Sequence, residues 1–180
     1  MPYPDPIYFL HVGILLLIIF VLVSYIIAGA VGAPFVPTEL DRVEDMADLA
    51  LVQAGDKAVD LGSGDGRVLV ALARAGAEVH GYEINPVLVL WSKFQLFRTG
   101  VSHLGDVHWK SFWNVDLSGF DLITIYGNPK IMERLETKLQ REMNQEARFI
   151  AYNFPLPNWR SVKQQNDVYL YTRSSQPGNS

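Results

Sequence analysis

Two patterns of hydrophobicity divide the chain. From Ile7 to Val31 no formally charged residue interrupts the sequence, and at about 1.5 Å per residue such a helix reaches about 37 Å, enough to cross a hydrocarbon layer of ~30 Å with some tilt. One membrane-spanning helix is expected there. Beyond it, short apolar runs alternate with segments of helical spacing. Ala58 to Leu61, Glu78 to Glu83, Val107 to Lys110, Asp121 to Tyr126, Ala147 to Asn153 and Val168 to Arg173 read as strands, the last preceded by a polar loop. Val68 to Ala75, the stretch from Asn85-Pro86 to about Gly100, and Pro129 to Met143 read as helices. Asn85-Pro86 and Asn128-Pro129 each place an N-cap before a proline at the first helical position. An earlier helix opens at Thr38-Glu39-Leu40-Asp41, read as a capping box, and carries Val43, Met46, Ala47 and Ala50 at i, i+3, i+4 and i+7 before ending near Gly55.

Strands alternating with helices predict an α/β fold, with right-handed crossovers forming a doubly wound, mostly parallel sheet covered on both faces. Ligands of such sheets bind beyond the C-terminal strand ends. Asp60, Glu83, Ser111, Tyr126 and Phe154 all fall there. The expected organisation is a short tail (1–6), a transmembrane helix (7–31), a stiff linker with two prolines (32–38), a folded domain (39–173) and a frayed tail (174–180).

Composition narrows the choices. The net charge of -4 and the absence of any Lys/Arg-rich run argue against a nucleic-acid partner. Without cysteine there are no disulfides, thiolate metal ligands or thiol nucleophiles, and His11, His80, His103 and His108 show no metal-ligand spacing, so no metal is expected. Ala28-Gly29-Ala30 resembles a signal-peptidase site, yet the apolar run is longer than the ~7–15 residues of a signal peptide and no basic residue precedes it. Tyr3, Tyr8, Phe9 and Tyr25 suit the two interfaces of a bilayer. Asp5 is the sole charge before the span, whereas Arg42 and Lys57 follow it, so the positive-inside rule places the domain on the cytoplasmic side.

The richest chemistry lies where the first strand ends. Ala58-Val59-Asp60-Leu61-Gly62-Ser63-Gly64-Asp65-Gly66-Arg67 runs from an apolar strand through an acid into glycines at alternate positions, just before a helix. Such a turn lets a ligand approach the backbone, and the loop amides around Gly62 and Gly64 are expected to hold its polar end. A dinucleotide fingerprint would need Gly-x-Gly-x-x-Gly, but position 67 is Arg. Asp60 is too close to the turn to reach a ribose and is well placed for a charged ligand end. Glu83, ending the second strand, stands where an acid accepts the two hydroxyls of a ribose. Together these features point to S-adenosyl-L-methionine, with Asp60, Gly62, Ser63, Gly64, Gly66 and Glu83 as cofactor-binding residues, rather than to a nicotinamide.

With those residues in view, the chain resembles the class I, seven-β-strand, Rossmann-like methyltransferases. More narrowly, it is similar to the membrane-anchored protein lysine methyltransferases whose mitochondrial members modify the adenine nucleotide translocase and the ATP synthase c-subunit. The resemblance is carried by the apolar N-terminal segment, Pro34-Phe35-Val36-Pro37-Thr38, the glycine turn, Gly81-Tyr82-Glu83-Ile84-Asn85-Pro86, Leu135-Glu136-Thr137-Lys138-Leu139 and Phe154-Pro155-Leu156-Pro157-Asn158-Trp159. It implies methyl transfer to a lysine of a membrane or membrane-associated protein, and the mitochondrial inner membrane as location if the source is eukaryotic. It also implies that Ile84 packs on the adenine. One departure stands out: Ser111-Phe112-Trp113-Asn114 occupies the place of an acid followed by Leu-Trp-Lys, so Ser111 replaces the residue that contacts the adenine amino group.

No obligatory catalytic base is expected, because displacement at a sulfonium is governed by orientation and desolvation. Trp113, Tyr126, Phe154 and Trp159 are candidates for an aromatic enclosure around an aliphatic amine, with core packing as the competing role. Tyr126-Gly127-Asn128-Pro129 shares Asn-Pro with the motif of amino-methylating nucleic-acid enzymes, but helix capping also accounts for Asn128. A lipid or quinone acceptor, or a non-catalytic nucleotide-binding membrane module, are the alternatives.

Overall fold

The computed structural model describes residues 6–31 and 37–176, with the side chains of 25–31 excepted. The start of the expected tail, the linker residues 32–36 with Pro34-Phe35-Val36, the side chains of Tyr25 and Ala28-Gly29-Ala30, and residues 177–180 lie outside the described residues. Helix α1 (Pro6–Val31) is long and apolar enough over Pro6–Ser24 to cross a membrane. Then follow α2 (Leu40–Ala50), β1 (Lys57–Leu61), α3 (Arg67–Arg74), β2 (Glu78–Glu83), α4 (Pro86–Arg98), β3 (Gly105–Trp109), β4 (Leu122–Tyr126), α5 (Pro129–Glu142), β5 (Arg148–Tyr152), β6 (Lys163–Gln165) and β7 (Val168–Thr172).

The strands form one seven-stranded sheet in the order β3-β2-β1-β4-β5-β7-β6. β3 through β5 are mutually parallel; β7 runs antiparallel to β5 and to β6. This is the mostly parallel α/β sheet expected. The strand order reverses between β1 and β4, the position at which open α/β sheets form a ligand crevice. Period-two alternation assigns the faces. Ala58, Val79, Leu122 and Ile150 join α2, α3 and α4 in one core, whereas Val59, Leu61, Ile123, Ile125 and Phe149 join α5 and Trp159 in the other.

Three local expectations are corrected. Thr38 and Asp41 do not form a capping box: Glu39 is the N-cap of α2 and makes no side-chain cap bond, while the Thr38 carbonyl accepts the Arg67 guanidinium. Helix α2 also stops at Ala50, where Leu51 turns left-handed at φ 48°, short of Gly55. The polar stretch before the last strand contains β6, which pairs with β7 through a turn whose two residues, Asn166 (φ 46°) and Asp167 (φ 62°), both have positive φ. That is the signature of a type I′ hairpin, whose twist matches that of the strands. Lys163, Gln164 and Gln165 are all exposed on this edge, so no hydrophobic alternation marks the strand.

Candidate functional site

The site is assembled where β1 and β2 end and α3 and α4 begin. Gly62, Gly64 and Gly66 all take positive φ (82°, 53° and 83°), the region in which an L side chain is strained. At Gly66 the space is also closed: a Cβ there would stand 2.2 Å from Ser92 Oγ on α4, so the turn is pressed against that helix.

Four of the loop amides have protein acceptors. The N–H groups of Gly62 and Ser63 donate to the Tyr82 carbonyl at 2.9 and 3.2 Å, extending the pairing of β1 with β2, and Gly66 N–H donates to Ser63. Gly64 N–H donates to Glu83 Oε2 at 3.0 Å. The Gly62 and Gly64 amides both have protein acceptors here: Gly62 N–H extends the β1–β2 ladder and Gly64 N–H meets the Glu83 carboxylate.

Glu83 is buried and organises the neighbourhood. Its Oε1 accepts the N–H groups of Ile84 and Asn85, each at 2.8 Å. Asn85 Oδ1 in turn caps α4 by accepting Val87 N–H at 2.9 Å, while its buried Nδ2 has no hydrogen-bond partner among the described residues. Ile84 is half-buried, and its carbonyl accepts the indole N–H of the exposed Trp109 at 2.9 Å. Ser111, half-buried, is the N-cap of the short 3-10 turn Phe112–Asn114.

Asp60 is also buried. Among the described residues it receives one hydrogen bond, from Thr124 Oγ1 on β4 at 2.8 Å. Burial pushes its carboxyl up to about 7 against the opposing effect of the Thr124 bond, with the nearby Glu83 and Asp65 adding to the rise. A buried carboxylate with spare lone pairs suits a cationic ligand group that would restore its ionised form.

The residues suggested for the acceptor side separate. Tyr126 packs on Tyr152 at a tilt of 31°, with ring centres 4.8 Å apart, and its hydroxyl accepts a hydrogen bond from Asn153 Nδ2 at 3.3 Å. Asn153 itself holds a left-handed φ of 74°. Gly127 lies between them and Phe154: a Cβ there would meet Phe154 Cβ and the Tyr152 carbonyl oxygen at 3.0 Å each. Tyr126, Gly127 and Phe154 thus share the ends of β4 and β5. Asn128 Oδ1 accepts Lys130 N–H at 3.0 Å and caps α5. Trp113 packs on Phe112 and carries the Arg134 guanidinium 4.1 Å above its ring. Trp159 is 2% exposed, packs edge-on against Tyr171 and donates its indole N–H to Ser175. It belongs to the core beneath β5 and β7, away from any open face.

Sequence reading missed Thr124, Trp109, Tyr152 and Asn153. Only Thr124 carried a signal, as the one polar residue inside the run Leu122-Ile123-Thr124-Ile125-Tyr126.

The strand order, the antiparallel β7 and the glycine turn after β1 define a methyltransferase-like fold. Residues 60–163 match the ANTKMT methyltransferase domain, and the chain belongs to that family. It is 40% identical over 126 residues to the ATP synthase c-subunit lysine N-methyltransferase of Xenopus laevis, covering 70% of this chain and 55% of that protein. It is 37% identical over 130 residues to the adenine nucleotide translocase lysine N-methyltransferase of Mus musculus, covering 72% of this chain and 56% of that one. The chain thus spans about half the length of these curated relatives. A crystal structure described as an RNA methyltransferase from Salinibacter ruber in complex with S-adenosyl-L-homocysteine is similar at a TM-score of 0.71 and 31% identity, over 76% of this chain and 93% of that one.

Proposed function

We propose that this chain is an S-adenosyl-L-methionine-dependent methyltransferase that modifies lysine side chains of a membrane or membrane-associated protein. The observation that carries the reading is the pair of buried carboxylates, Asp60 and Glu83, framing a glycine turn at the strand ends of a chain in this family. When bound, the cofactor supplies an electrophilic methyl group. Asp60 would hold its ammonium, Glu83 its ribose, and Ile84 with Ser111 its adenine, with Gly62, Ser63, Gly64 and Gly66 shaping the turn around it. The adenine rim also includes Trp109, whose indole holds the Ile84 carbonyl.

A bound cofactor would present its methyl group to a lysine Nζ, and that amine must first lose its proton to solvent. From a reference value near 10.4, deprotonation at pH 7 costs roughly 4–5 kcal/mol. Burial between the ends of β4 and β5, where Tyr126 and Phe154 exclude water, lowers that cost because desolvation disfavours the ammonium. Tyr126 OH is the polar group placed to orient the amine. The capping role of Asn128, the Arg134 contact of Trp113 and the burial of Trp159 make these residues supports of the site.

The domain, read as 39–173, is tethered by α1 to the bilayer, with the catalytic side facing the cytoplasm, or the inner mitochondrial membrane as its location if the source is eukaryotic. The test is methyl transfer from radiolabelled cofactor into membranes supplied with the purified chain. Label in a protein band, mapped to lysine, is expected. Label that extracts into organic solvent, label in RNA, or no transfer despite cofactor binding would overturn the lysine reading.

A further inference from the structure

Helix α4 (Pro86–Arg98) presents an apolar face that the folded domain does not cover. Leu90, Trp91, Phe94 and Phe97 are 69, 49, 48 and 73% exposed. Single exposed apolar residues are ordinary, but four on two turns of one helix are not. Leu88, Val89, Ser92 and Leu96 face the core, so at 100° per residue Leu90, Phe94 and Phe97 fall on one outward stripe. Lys93 borders that stripe on one side, and Trp91 and Arg98 border it on the other. The outward sides of α2 and α5 carry charged residues instead, among them Glu44, Asp48, Glu133 and Arg141. α4 contains no acid and two cations, in a chain whose net charge is -4. Lys93 pairs with Asp106 at 2.9 Å and Arg98 with Gln95 at 3.1 Å, so both head groups sit at the margins of the apolar stripe.

The second observation is position. α1 packs against α4, and of the described α1 side chains only Ser24 is buried, residues 6–23 exposing Leu, Ile and Phe. α1 thus meets, in α4, the helix that carries the uncovered face. A long apolar helix, an adjoining apolar stripe, a tryptophan at its edge and flanking cations make the pattern of a surface that lies in a lipid interface. The cations complement anionic headgroups, while their stems reach along the apolar layer.

We propose that the outer face of α4 is a second membrane contact, seated in the headgroup and upper acyl region of an anionic bilayer beside α1. The proposal rests on the reading of α1 as a membrane anchor. Its consequence is orientation: α4 begins at Pro86, directly after Glu83, Ile84 and Asn85, so seating this helix fixes the cofactor end of the sheet relative to the bilayer. A tether alone would leave that orientation free.

The absence of cysteine makes a direct test possible. Leu90→Cys, Phe94→Cys and Phe97→Cys in the full chain, with Leu17→Cys as the anchor control and Glu133→Cys as the solvent control, are spin-labelled in vesicles of phosphatidylcholine and phosphatidylglycerol. Collision with oxygen, which concentrates in lipid, is compared with collision with a water-soluble nickel chelate. The expected result is a several-fold higher oxygen-to-chelate ratio at 90, 94 and 97 than at 133, in the direction of position 17. If position 17 is in lipid but 90, 94 and 97 behave like 133, the proposal is overturned and the anchor stands. Exclusion of both probes, with dipolar broadening between labels on two copies, would assign the face to a second copy and also overturn it. If position 17 is itself open to the chelate, the anchor reading fails, and the α4 contact with it.

Discussion

The carboxylate of Glu83 holds the amide of Gly64, with Oε2 3.0 Å from the nitrogen, while its other oxygen takes the first two amides beyond β2. The acid at the end of the second strand and the glycine turn at the end of the first are thereby one hydrogen-bonded unit. A ribose reaching Glu83 meets a carboxylate whose direction is already set, which reduces the ordering needed on binding.

Removing that unit has a cost with and without ligand. Glu83→Ala leaves three backbone N–H groups without their acceptor, and each such group, when buried, costs about 1–3 kcal/mol. A lowered melting temperature and faster hydrogen exchange at Gly64 are expected, together with loss of cofactor affinity. Glu83→Gln keeps one acceptor oxygen and should fall between. An unchanged melting temperature for Glu83→Ala would contradict the geometry.

Asp60 gives a pH dependence of unusual sign. Its carboxyl rises from 3.8 to about 7 on folding, so between those values the folded state holds a proton that the unfolded state has lost. Stability contributed by this group therefore falls as pH rises from about 4 to about 7 and is level above, a total of about 4 kcal/mol. Asp60→Asn should melt higher than the parent at pH 8 and close to it at pH 4. A cationic ligand that ionises Asp60 should release a proton on binding at pH 6 and none at pH 9. Titration calorimetry in buffers of different ionisation enthalpy reads this directly, and Asp60→Asn should abolish the difference.

Ser111 is the residue proposed to border the adenine. Ser111→Asp places a charged acceptor at the same half-buried position and should tighten cofactor binding by roughly tenfold, the equivalent of about 1.4 kcal/mol. Calorimetric titration of parent and variant decides it; equal or weaker affinity would show that the adenine edge lies elsewhere.

Trp159 and Tyr126 separate packing from acceptor contact. Trp159→Ala should destabilise by about 3–5 kcal/mol through the cavity it leaves, with Trp159→Phe retaining most of the stability and turnover. Tyr126→Phe removes only the hydroxyl that accepts Asn153 and should cost about 1 kcal/mol in stability. Its larger effect should be on kcat, measured with the lysine acceptor once that acceptor is identified. Loss of kcat in Trp159→Phe with unaltered melting would reverse the assignment of these two aromatics.

The legible parts were those governed by neighbours in sequence. Asn85 and Asn128 cap α4 and α5 as expected, since an Asn followed by Pro satisfies the first free amides by itself. The β1, β2, β4, β5 and β7 spans agree with the apolar runs to within a residue or two. β6 escaped because three exposed polar residues carry no periodic signal, and its pairing is set by a left-handed turn at Asn166 and Asp167. Thr38 escaped because its role is played by a carbonyl, which every residue possesses.

By itself, the sequence determined the apolar N-terminal span, the order of the helices and of every strand but β6, and the glycine turn between two acids, because sterics, capping and hydrophobic period act over a few residues. Tertiary structure decided the rest. Thr124 became the partner of Asp60 across 64 residues of chain, Gly62 and Gly64 gave their amides to β2 and Glu83, and Trp159 went to the core. α4, apolar on nearly every side in sequence, received only one covered face. The physical reason is the same in each case: a side chain's chemistry is local, but its burial and partners depend on which distant surfaces the sheet brings against it.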